Sequence, residues 1–237
     1  MKKKEVSMKF FRFFVVVMSC FCLLALPMSA NAENKWDTMV EKCGTVLNEM
    51  QRMPDGGIPE DLLRKCNAIA IFPTTISGGL GIGGRYGQGI IMVRDEKTGK
   101  WSPPAIFTIA GGSIGWQIGG QATDIVLLIM TRRSIHALLS GKFKLGADAS
   151  VAAGPVGREA SAATDAQLGG ILTYSRAKGL FIGLKLEGAV ITQHWEGDNT
   201  LYGESVSAKE ILLENKVKMP ASAKRVLEVL QKYPYKR

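Results

Sequence analysis

Residues 105–130, AIFTIAGGSIGWQIGGQATDIVLLIM, decide the fold of this chain. From Ser113 to Ala122, apolar residues alternate with small or polar ones, which is the two-residue period of a β-strand with two different faces. The same stretch is rich in glycine, with Gly111, Gly112, Gly115, Gly119 and Gly120. Glycine weakens a strand unless the sheet bends or another group approaches its backbone closely. The stretch therefore predicts a strongly curved sheet.

The two sides of this strand predict different roles. One side is apolar and is expected to build the core: Ile114, Trp116 and Ile118. The other side is a polar strip: Ser113, Gln117, Gln121 and, at its end, Asp124. We expect this strip within the concave face of the sheet, hydrogen-bonded to other polar residues such as Asp148 or Glu187. A helix at Ser113 and Gln117 would contradict this organisation.

Further β-type segments lie on both sides of this stretch. Upstream, the sequence predicts strands over 68–72, stopped by Pro73, and over 90–93, with glycine-rich residues 78–89 between them and a hairpin turn at 95–100. Downstream, it predicts a short helix over 132–140 and strands over 124–130, 142–153, 156–164, 171–175 and 180–191. Many short strands at hairpin spacing indicate an antiparallel, meander-like sheet that rolls towards a barrel.

Helical periods occur at both ends of the chain. The first helix has one apolar face, formed by Met39, Val40, Cys43, Val46, Leu47 and Met50. Residues 54–59 end it, and Pro59 opens a second helix that runs to about Cys66, which predicts a helical hairpin. Two short helices, over 208–214 and from Pro220 to about Lys232, follow the sheet. The predicted fold class is α+β, with a curved, barrel-like antiparallel sheet between these helices.

Residues 1–32 have the pattern of a cleavable signal peptide. Five basic residues precede an apolar run over 13–26, and Ala30-Asn31-Ala32 fits a cleavage site. The alternatives are a lipoprotein modified at Cys20 and an uncleaved membrane anchor. The pattern predicts export and a periplasmic or envelope-associated protein. The remaining domains are then a helical hairpin over 33–67, a β-rich domain over 68–203 and basic helices over 204–237.

Composition limits the chemistry. The net charge is +9, but residues 1–32 hold five of the 30 Lys and Arg and one of the 21 Asp and Glu, so the exported part carries about +5. This modest charge suits an anionic surface, and we do not expect nucleic acid as a partner.

Cys43 and Cys66 would remain after export. They form either one disulfide or two buried thiols, and the sequence leaves both alternatives open.

The middle segments together resemble the SYLF-domain family. The similarity rests on an ordered set between about Leu62 and Gly203: AIAIFP, GGLGIGGRYGQGIIMVRDEKTGKWSPPA, GGSIGWQIGGQATD, GKFKLGADASVAAGPVGREA and YSRAKGLFIGLKLEGAVI. The resemblance implies binding of membrane lipids, which are phosphoinositides for eukaryotic members. This sequence carries no SH3 domain or FYVE finger of the kind that accompanies the module in eukaryotes. For an exported bacterial member, we expect other anionic phospholipids in their place.

Three strings of residues mimic enzyme motifs. Gly79-x-Gly81-x-x-Gly84 matches a dinucleotide fingerprint, but glycines and β-branched residues follow it instead of a helix. Gly111-x-Ser113-x-Gly115 matches a nucleophile elbow, and Asp124, Asp148 or Asp165 followed by His194 could complete a triad. His194-Trp195-Glu196 mimics a zinc deaminase, but the required P-C-x-x-C is absent. We expect no enzyme, no cofactor and no metal site; a serine esterase using Ser113 is the first alternative.

The basic residues fall into two sets that could bind phosphate groups if the fold brings them together. One set lies near the predicted hairpin: Arg85, Arg94, Lys97 and Lys100. The other lies at strand ends: Lys142, Lys144, Arg176 and Lys178. The alternative for each is an ordinary solvated surface residue. We expect non-enzymatic binding of anionic phospholipid or a related amphiphile through these residues and an apolar surface; an envelope scaffold that binds a protein is the second alternative.

Overall fold

Two long paired strands, β1 (Ala68–Val93) and β2 (Ala105–Ile129), form the centre of the fold. In this computed structural model the described residues are 34–53, 57–156, 170–181, 184 and 186–236, without the side chains of 80–82 and 113–119. The predicted signal peptide and most of the predicted strand over 156–164 lie outside these ranges. The other strands are β3 (Phe143–Lys144), β4 (Val151–Ala153), β5 (Ile171–Ala177), β6 (Leu180–Phe181) and β7 (Val190–Gln193).

Helices precede, interrupt and follow the sheet. The α-helices are α1 (Lys35–Gln51), α2 (Glu60–Lys65), α3 (Arg132–Leu139), α4 (Trp195–Tyr202), α5 (Ala208–Leu212) and α6 (Lys224–Leu230), and a 3₁₀ turn at Ala221–Ala223 leads into α6. The Asn34 side chain accepts a hydrogen bond from the backbone N–H of Trp36 and so caps α1. Ser207 and Glu210 form a capping box at the start of α5. These helices and the curled half-barrel sheet confirm the predicted α+β class.

β1 and β2 pair antiparallel along nearly their whole length, from Ala68 opposite Ile129 to Ile91 opposite Ala105. The register shifts between Phe72 and Thr75 and again between Gly79 and Gly81. The prediction that Pro73 stops the first strand is therefore wrong. Pro73 and Thr74, which has a positive φ of 52°, sit at an irregularity that the strand passes through, because a bulge can accommodate residues that a regular ladder cannot.

The two halves of β1 lie beside each other. A Cβ added to Gly89 would collide with the main chain of Ile71, and one added to Gly87 would collide with the Thr75 hydroxyl. At the end of the strand, the N–H of Arg94 donates to the carbonyl oxygen of Asn67, 2.8 Å away. β1 therefore reverses its direction within its glycine-rich middle. This reversal is the sharp bend that the glycine content predicts.

The remaining strands extend the sheet from the two halves of β2. β7 pairs with Phe107–Ala110 and carries β3 on its other side, while β5 pairs with Asp124–Ile129. β4 runs parallel to β5, whereas the other strand pairs named here are antiparallel, as predicted. Among the described residues of the predicted strand over 180–191, two short strands occur, β6 and β7. The sequence did not indicate α4, which follows directly.

The sheet is covered by helices on both faces. Alternate residues of β1 and β2 enter two separate clusters of buried side chains. Ile69, Ile71 and Ile90 belong to the cluster with α1, α2 and α6. Ala70, Phe72 and Ile91 belong to the cluster with α3 and α5. The two central strands are therefore buried on both faces around residues 69–72 and 90–91, which explains their continuous apolar runs.

Cys43 and Cys66 are both free and fully buried, which settles the open alternative in favour of two thiols. The Cys43 thiol donates to the carbonyl oxygen of Ile71 at 3.5 Å, and the Cys66 thiol to that of Leu63 at 3.3 Å. Each thiol thus packs as a small apolar group with a weak local hydrogen bond.

Candidate functional site

The glycine-rich bend forms one end of the sheet, here called the glycine end: residues 76–86 of β1 and 110–122 of β2. Between its contacts with β7 and β5, β2 pairs only with β1 among the described residues. A Cβ added to Gly84, Gly112 or Gly120 would meet no atom within 4 Å. The ribbon therefore presents open backbone surface.

Large apolar side chains are exposed at this end. Four exceed half exposure in the part of the chain that the structure describes: Ile76 at 60%, Tyr86 at 54%, Leu180 at 63% and Trp195 at 53%. Ile76 and Tyr86 lie on the paired ribbon, opposite Ala122 and Ala110. Leu180 follows the turn after β5, just beyond the level of Asp124. Three of the four thus lie at the glycine end, where no core requires them.

The irregularity at Pro73 and Thr74 decides where Ile76 points. Ile69 and Ile71 face α1, and an unbroken two-residue period would place residue 76 on the opposite face. After the register shift, Ile76 instead lines a groove of about 350 Å³ together with Tyr86 and α1 residues Lys35 and Lys42. The bulge therefore brings Ile76 beside Tyr86 and two lysines.

Two further lysines lie at the same end. Tyr86 pairs with Ala110 of β2, Ala110 pairs with Val190 of β7, and Val190 pairs with Lys144 of β3. Lys144 and Tyr86 therefore lie in the same row across the sheet. Lys178, with a φ of 49°, occupies the turn before Leu180. Like Lys35 and Lys42, neither forms an ion pair with a described carboxylate. Apolar side chains and uncompensated cations therefore share this surface.

Arg176 has a different role from that of these lysines. Its guanidinium contacts Asp124 at 2.6 Å and Glu49 at 2.7 Å, and Asp124 also accepts the N–H of Thr74 at 2.9 Å. Arg176 therefore ties α1 to the sheet. At Asp124, the end of the polar strip, the polar partner is thus Arg176 rather than Asp148 or Glu187, and Asp148 accepts the backbone N–H of Lys144. The side chains of Ser113 and Gln117 lie outside the described residues.

Arg85 and Arg94 are buried, at 6% and 1% exposure. Burial lowers the pKa of both guanidinium groups. Arg94 donates to the carbonyl oxygens of Arg64 at 2.8 Å and Tyr233 at 3.2 Å, so it fastens α2 and the C-terminal segment to the sheet. Neither arginine presents its charge to a surface partner in this structure.

The other predicted residues lie away from the glycine end. Lys97 and Lys100 are exposed in the turn that joins β1 to β2, and Lys142 is exposed just before β3. The eight predicted residues therefore form no single cluster: Lys144 and Lys178 share the glycine end with Lys35 and Lys42, which the prediction missed. Their spacing of seven residues places Lys35 and Lys42 on one face of α1, and this signal was available in the sequence.

The geometry at Ser113 is not that of an esterase. A nucleophile elbow needs a turn into a helix, whereas Ser113 pairs with Gly83 inside a strand that continues to Ile129. The triad also needs the Nδ1 atom of histidine to face a carboxylate. In His194 this atom accepts the N–H of Gly197 at 3.0 Å and caps α4. Asp165 lies outside the described residues.

The described residues show neither a metal-ligand cluster nor a membrane-spanning helix. No three of their His, Cys, Asp and Glu side chains converge as metal ligands. None of their helices has both the length and the apolar composition to cross a bilayer.

Comparison with known proteins identifies relatives over most of this chain. Residues 110–233 match the family described as "Ysc84: Las17-binding protein actin regulator". The chain is 33% identical to "Protein YSC84" of Saccharomyces cerevisiae, over 87% of this chain and 44% of that protein. It is 35% identical to "LAS seventeen-binding protein 3" of the same yeast, over 75% and 39%. It is 30% identical to human "SH3 domain-containing YSC84-like protein 1", over 89% and 61%.

The chain spans 39% to 61% of the length of these three relatives. One of these names describes a binding protein and another a protein that contains an SH3 domain. The match over residues 110–233 includes most of β2, the strands β3 to β7 and the C-terminal helices. The chain therefore belongs to the Ysc84 family, the SYLF-domain family that its sequence resembles.

Proposed function

We propose that this chain binds anionic phospholipid membranes, without catalysis, through the glycine end of its sheet. The observation that carries the proposal is the coincidence of Ile76, Tyr86 and Leu180, all more than half exposed, with lysines that have no described acidic partner. Exposed apolar side chains that are costly in water become favourable in the interfacial region of a bilayer. The lipid binding implied by the family resemblance supports the same conclusion.

The lysines supply attraction to the lipid phosphates. A basic residue close to an anionic membrane surface contributes about 1 kcal/mol, and this attraction weakens as salt shortens the screening length. Lys35, Lys42, Lys144 and Lys178 are the basic residues of this surface. Ile76 and Tyr86 line the same groove as the α1 lysines, so shallow insertion of these side chains would bring the lysines to the headgroups.

The proposed place of action is the bacterial cell envelope. The pattern of residues 1–32, with basic residues, an apolar run and a small-x-small site, supports export. An exported protein would meet the anionic phospholipids of the envelope rather than phosphoinositides. The double variant Phe13→Lys/Val16→Lys interrupts the apolar run and tests export separately. We expect it to lose export, as measured by cell fractionation.

Vesicle co-sedimentation tests membrane binding. We expect binding to vesicles that contain phosphatidylglycerol, weak binding to pure phosphatidylcholine, and loss of binding at high salt. Lys35→Ala/Lys42→Ala should weaken partitioning roughly tenfold or more, because two cations are removed. Ile76→Ser/Tyr86→Ser should weaken it at all salt concentrations.

A matched control removes two exposed lysines that lie elsewhere. Lys65→Ala/Lys232→Ala changes the net charge by the same amount and should leave vesicle binding within about twofold, because neither residue is at the glycine end. Equal losses in the two double variants would show that only total charge matters. Indifference of the unmodified protein to anionic lipid at low salt would refute the proposal.

A protein partner is the second candidate, favoured by the names of the Las17-binding relatives. The same exposed surface would then contact a protein, and the chain would act as an envelope scaffold. Cross-linking in intact cells from a photoreactive residue at position 76 distinguishes the two: lipid adducts support the first candidate, and a discrete protein adduct supports the second.

A further inference from the structure

A second surface feature lies at the opposite end of β1, where the turn after Val93 meets the C-terminal segment. A groove of about 900 Å³ runs between them, within the size range of small-molecule sites. Its walls are mainly apolar and aromatic: Trp101, Met219, Leu227, Leu230, Tyr233 and Tyr235. The groove lined by Ile76 and Tyr86 is smaller, at about 350 Å³.

The buried Arg94 holds both walls in place. Its guanidinium carbon lies 4.4 Å from the ring centre of Trp101 and 5.4 Å from that of Tyr235. The same guanidinium donates to the carbonyl oxygen of Tyr233. A buried cation that contacts both rings and bonds to the main chain ties Trp101 and the C-terminal segment to the same group. The groove is therefore preformed, which lowers the entropy cost of filling it.

Two cations stand at the rim. Lys97 and Lys100 line the groove within a turn that Asp95 orders by accepting the N–H groups of Lys97 at 3.0 Å and Thr98 at 2.7 Å. Glu96, the acidic residue of the rim, pairs with Arg132 at 2.7 Å. Lys97 and Lys100 form no ion pair with a described carboxylate. The rim thus offers uncompensated positive charge beside an apolar channel.

We propose that this groove binds a single-chain anionic amphiphile of the fatty-acid class, with the alkyl chain along the aromatic walls and the head group at Lys97 and Lys100. The charge of the rim selects an anionic head, and the apolar walls select an extended chain. This site is separate from the glycine end, so it binds a monomeric amphiphile independently of a membrane surface.

Calorimetric titration of the full-length protein tests the site. The probes are octanoate, decanoate and dodecanoate, each below its micelle concentration, with dodecanol as the uncharged counterpart. Two additional buried methylenes should tighten binding roughly tenfold from one carboxylate to the next. Lys97→Ala/Lys100→Ala should weaken dodecanoate roughly tenfold and leave dodecanol unchanged. Leu227→Lys should weaken every probe by occupying the channel.

The matched control is the glycine-end variant Lys35→Ala/Lys42→Ala, which should bind dodecanoate as the unmodified protein does. Affinity that does not depend on chain length would overturn the proposal. A loss caused by Lys35→Ala/Lys42→Ala and not by Lys97→Ala/Lys100→Ala would also overturn it, because it would place the amphiphile at the glycine end. Vesicle binding separates the two proposals, since Lys97→Ala/Lys100→Ala should leave it intact.

Discussion

The main chain of Gly89 lies directly against that of Ile71, in the other half of the same strand. A Cβ at position 89 would lie 2.8 Å from the carbonyl carbon of Ile71 and even closer to its oxygen. Neither the main chain of Ile71 nor that of Gly89 can shift easily, because Ile71 and Ile90, the residue after Gly89, are both fully buried. The reversal of β1, and with it the glycine end, therefore depends on the absence of a side chain at this position.

Gly89→Ala should destabilise the protein by about 2–4 kcal/mol, because the backbone of a packed sheet must shift to admit the methyl group. Urea unfolding followed by circular dichroism measures the change. Gly112→Ala is the control, because a Cβ there meets no atom within 4 Å and should change the free energy of unfolding by less than about 1 kcal/mol. Equal effects of the two substitutions would contradict the reversal of β1.

The Arg176–Asp124 pair should couple α1 to the sheet. Both side chains are mostly buried, at 14% and 19% exposure, and Glu49 adds a more exposed second contact. Arg176→Met should cost about 1–3 kcal/mol, because Asp124 then keeps a poorly solvated charge. Glu49→Gln should cost less than about 1 kcal/mol, since that carboxylate is half exposed. A double-mutant cycle of Arg176 and Asp124 that gives no coupling would contradict this role.

Asp198 should make stability depend on pH. Burial raises the pKa of this carboxyl to about 7, although it accepts hydrogen bonds from the N–H of Ile106 and the amide of Gln193. The folded state then binds more protons than the unfolded state between about pH 4 and pH 7, so the free energy of unfolding falls as pH rises through this window. Outside this pH window, Asp198 adds no pH dependence to the free energy of unfolding.

Asp198→Asn removes this titration. Urea unfolding at pH 5 and pH 8 should show a smaller difference in stability for the variant than for the unmodified protein. The absolute stability of the variant should also fall, because the new amide faces the Gln193 Nε2 donor. An identical pH dependence in both proteins would show that Asp198 is ionised throughout the range.

Cys43 and Cys66 should be unreactive in the folded protein. Burial raises the pKa of both thiols, that of Cys66 to about 12, so little thiolate forms at neutral pH. Iodoacetamide followed by peptide mass mapping should find neither residue alkylated until urea unfolds the chain. Recovery of a peptide disulfide that joins the two cysteines from the native protein would contradict the structure.

Local periods predicted several elements well. The apolar face of α1 lies where Val40, Cys43 and Leu47 recur at helical spacing, and all three are fully buried. α3 covers Arg132–Leu139 as predicted, and the alternation around Ser113 is part of a strand. α4 was missed, because its short sequence WEGDNTLY lacks an apolar stripe and is held instead by His194 as N-cap and by contacts with the sheet.

The grouping of the basic residues could not be predicted in the same way. Arg94 and Lys97 are three residues apart, yet one is buried beneath aromatic rings and the other is exposed at a groove rim. Lys42 and Tyr86 are far apart in sequence and line the same groove. Exposure and convergence depend on which segments pack together, and no local period carries that information.

The sequence by itself determined the α+β class, the curved glycine-rich ribbon and the family, because these follow from residue type, short-range period and an ordered set of motifs. Only the tertiary structure decided which charges remain free and where apolar side chains emerge. The register shift after Phe72 turns Ile76 towards α1, and the reversal of β1 brings Tyr86 beside it. A shift of one residue changes the face of every following side chain, and long-range packing selects that register.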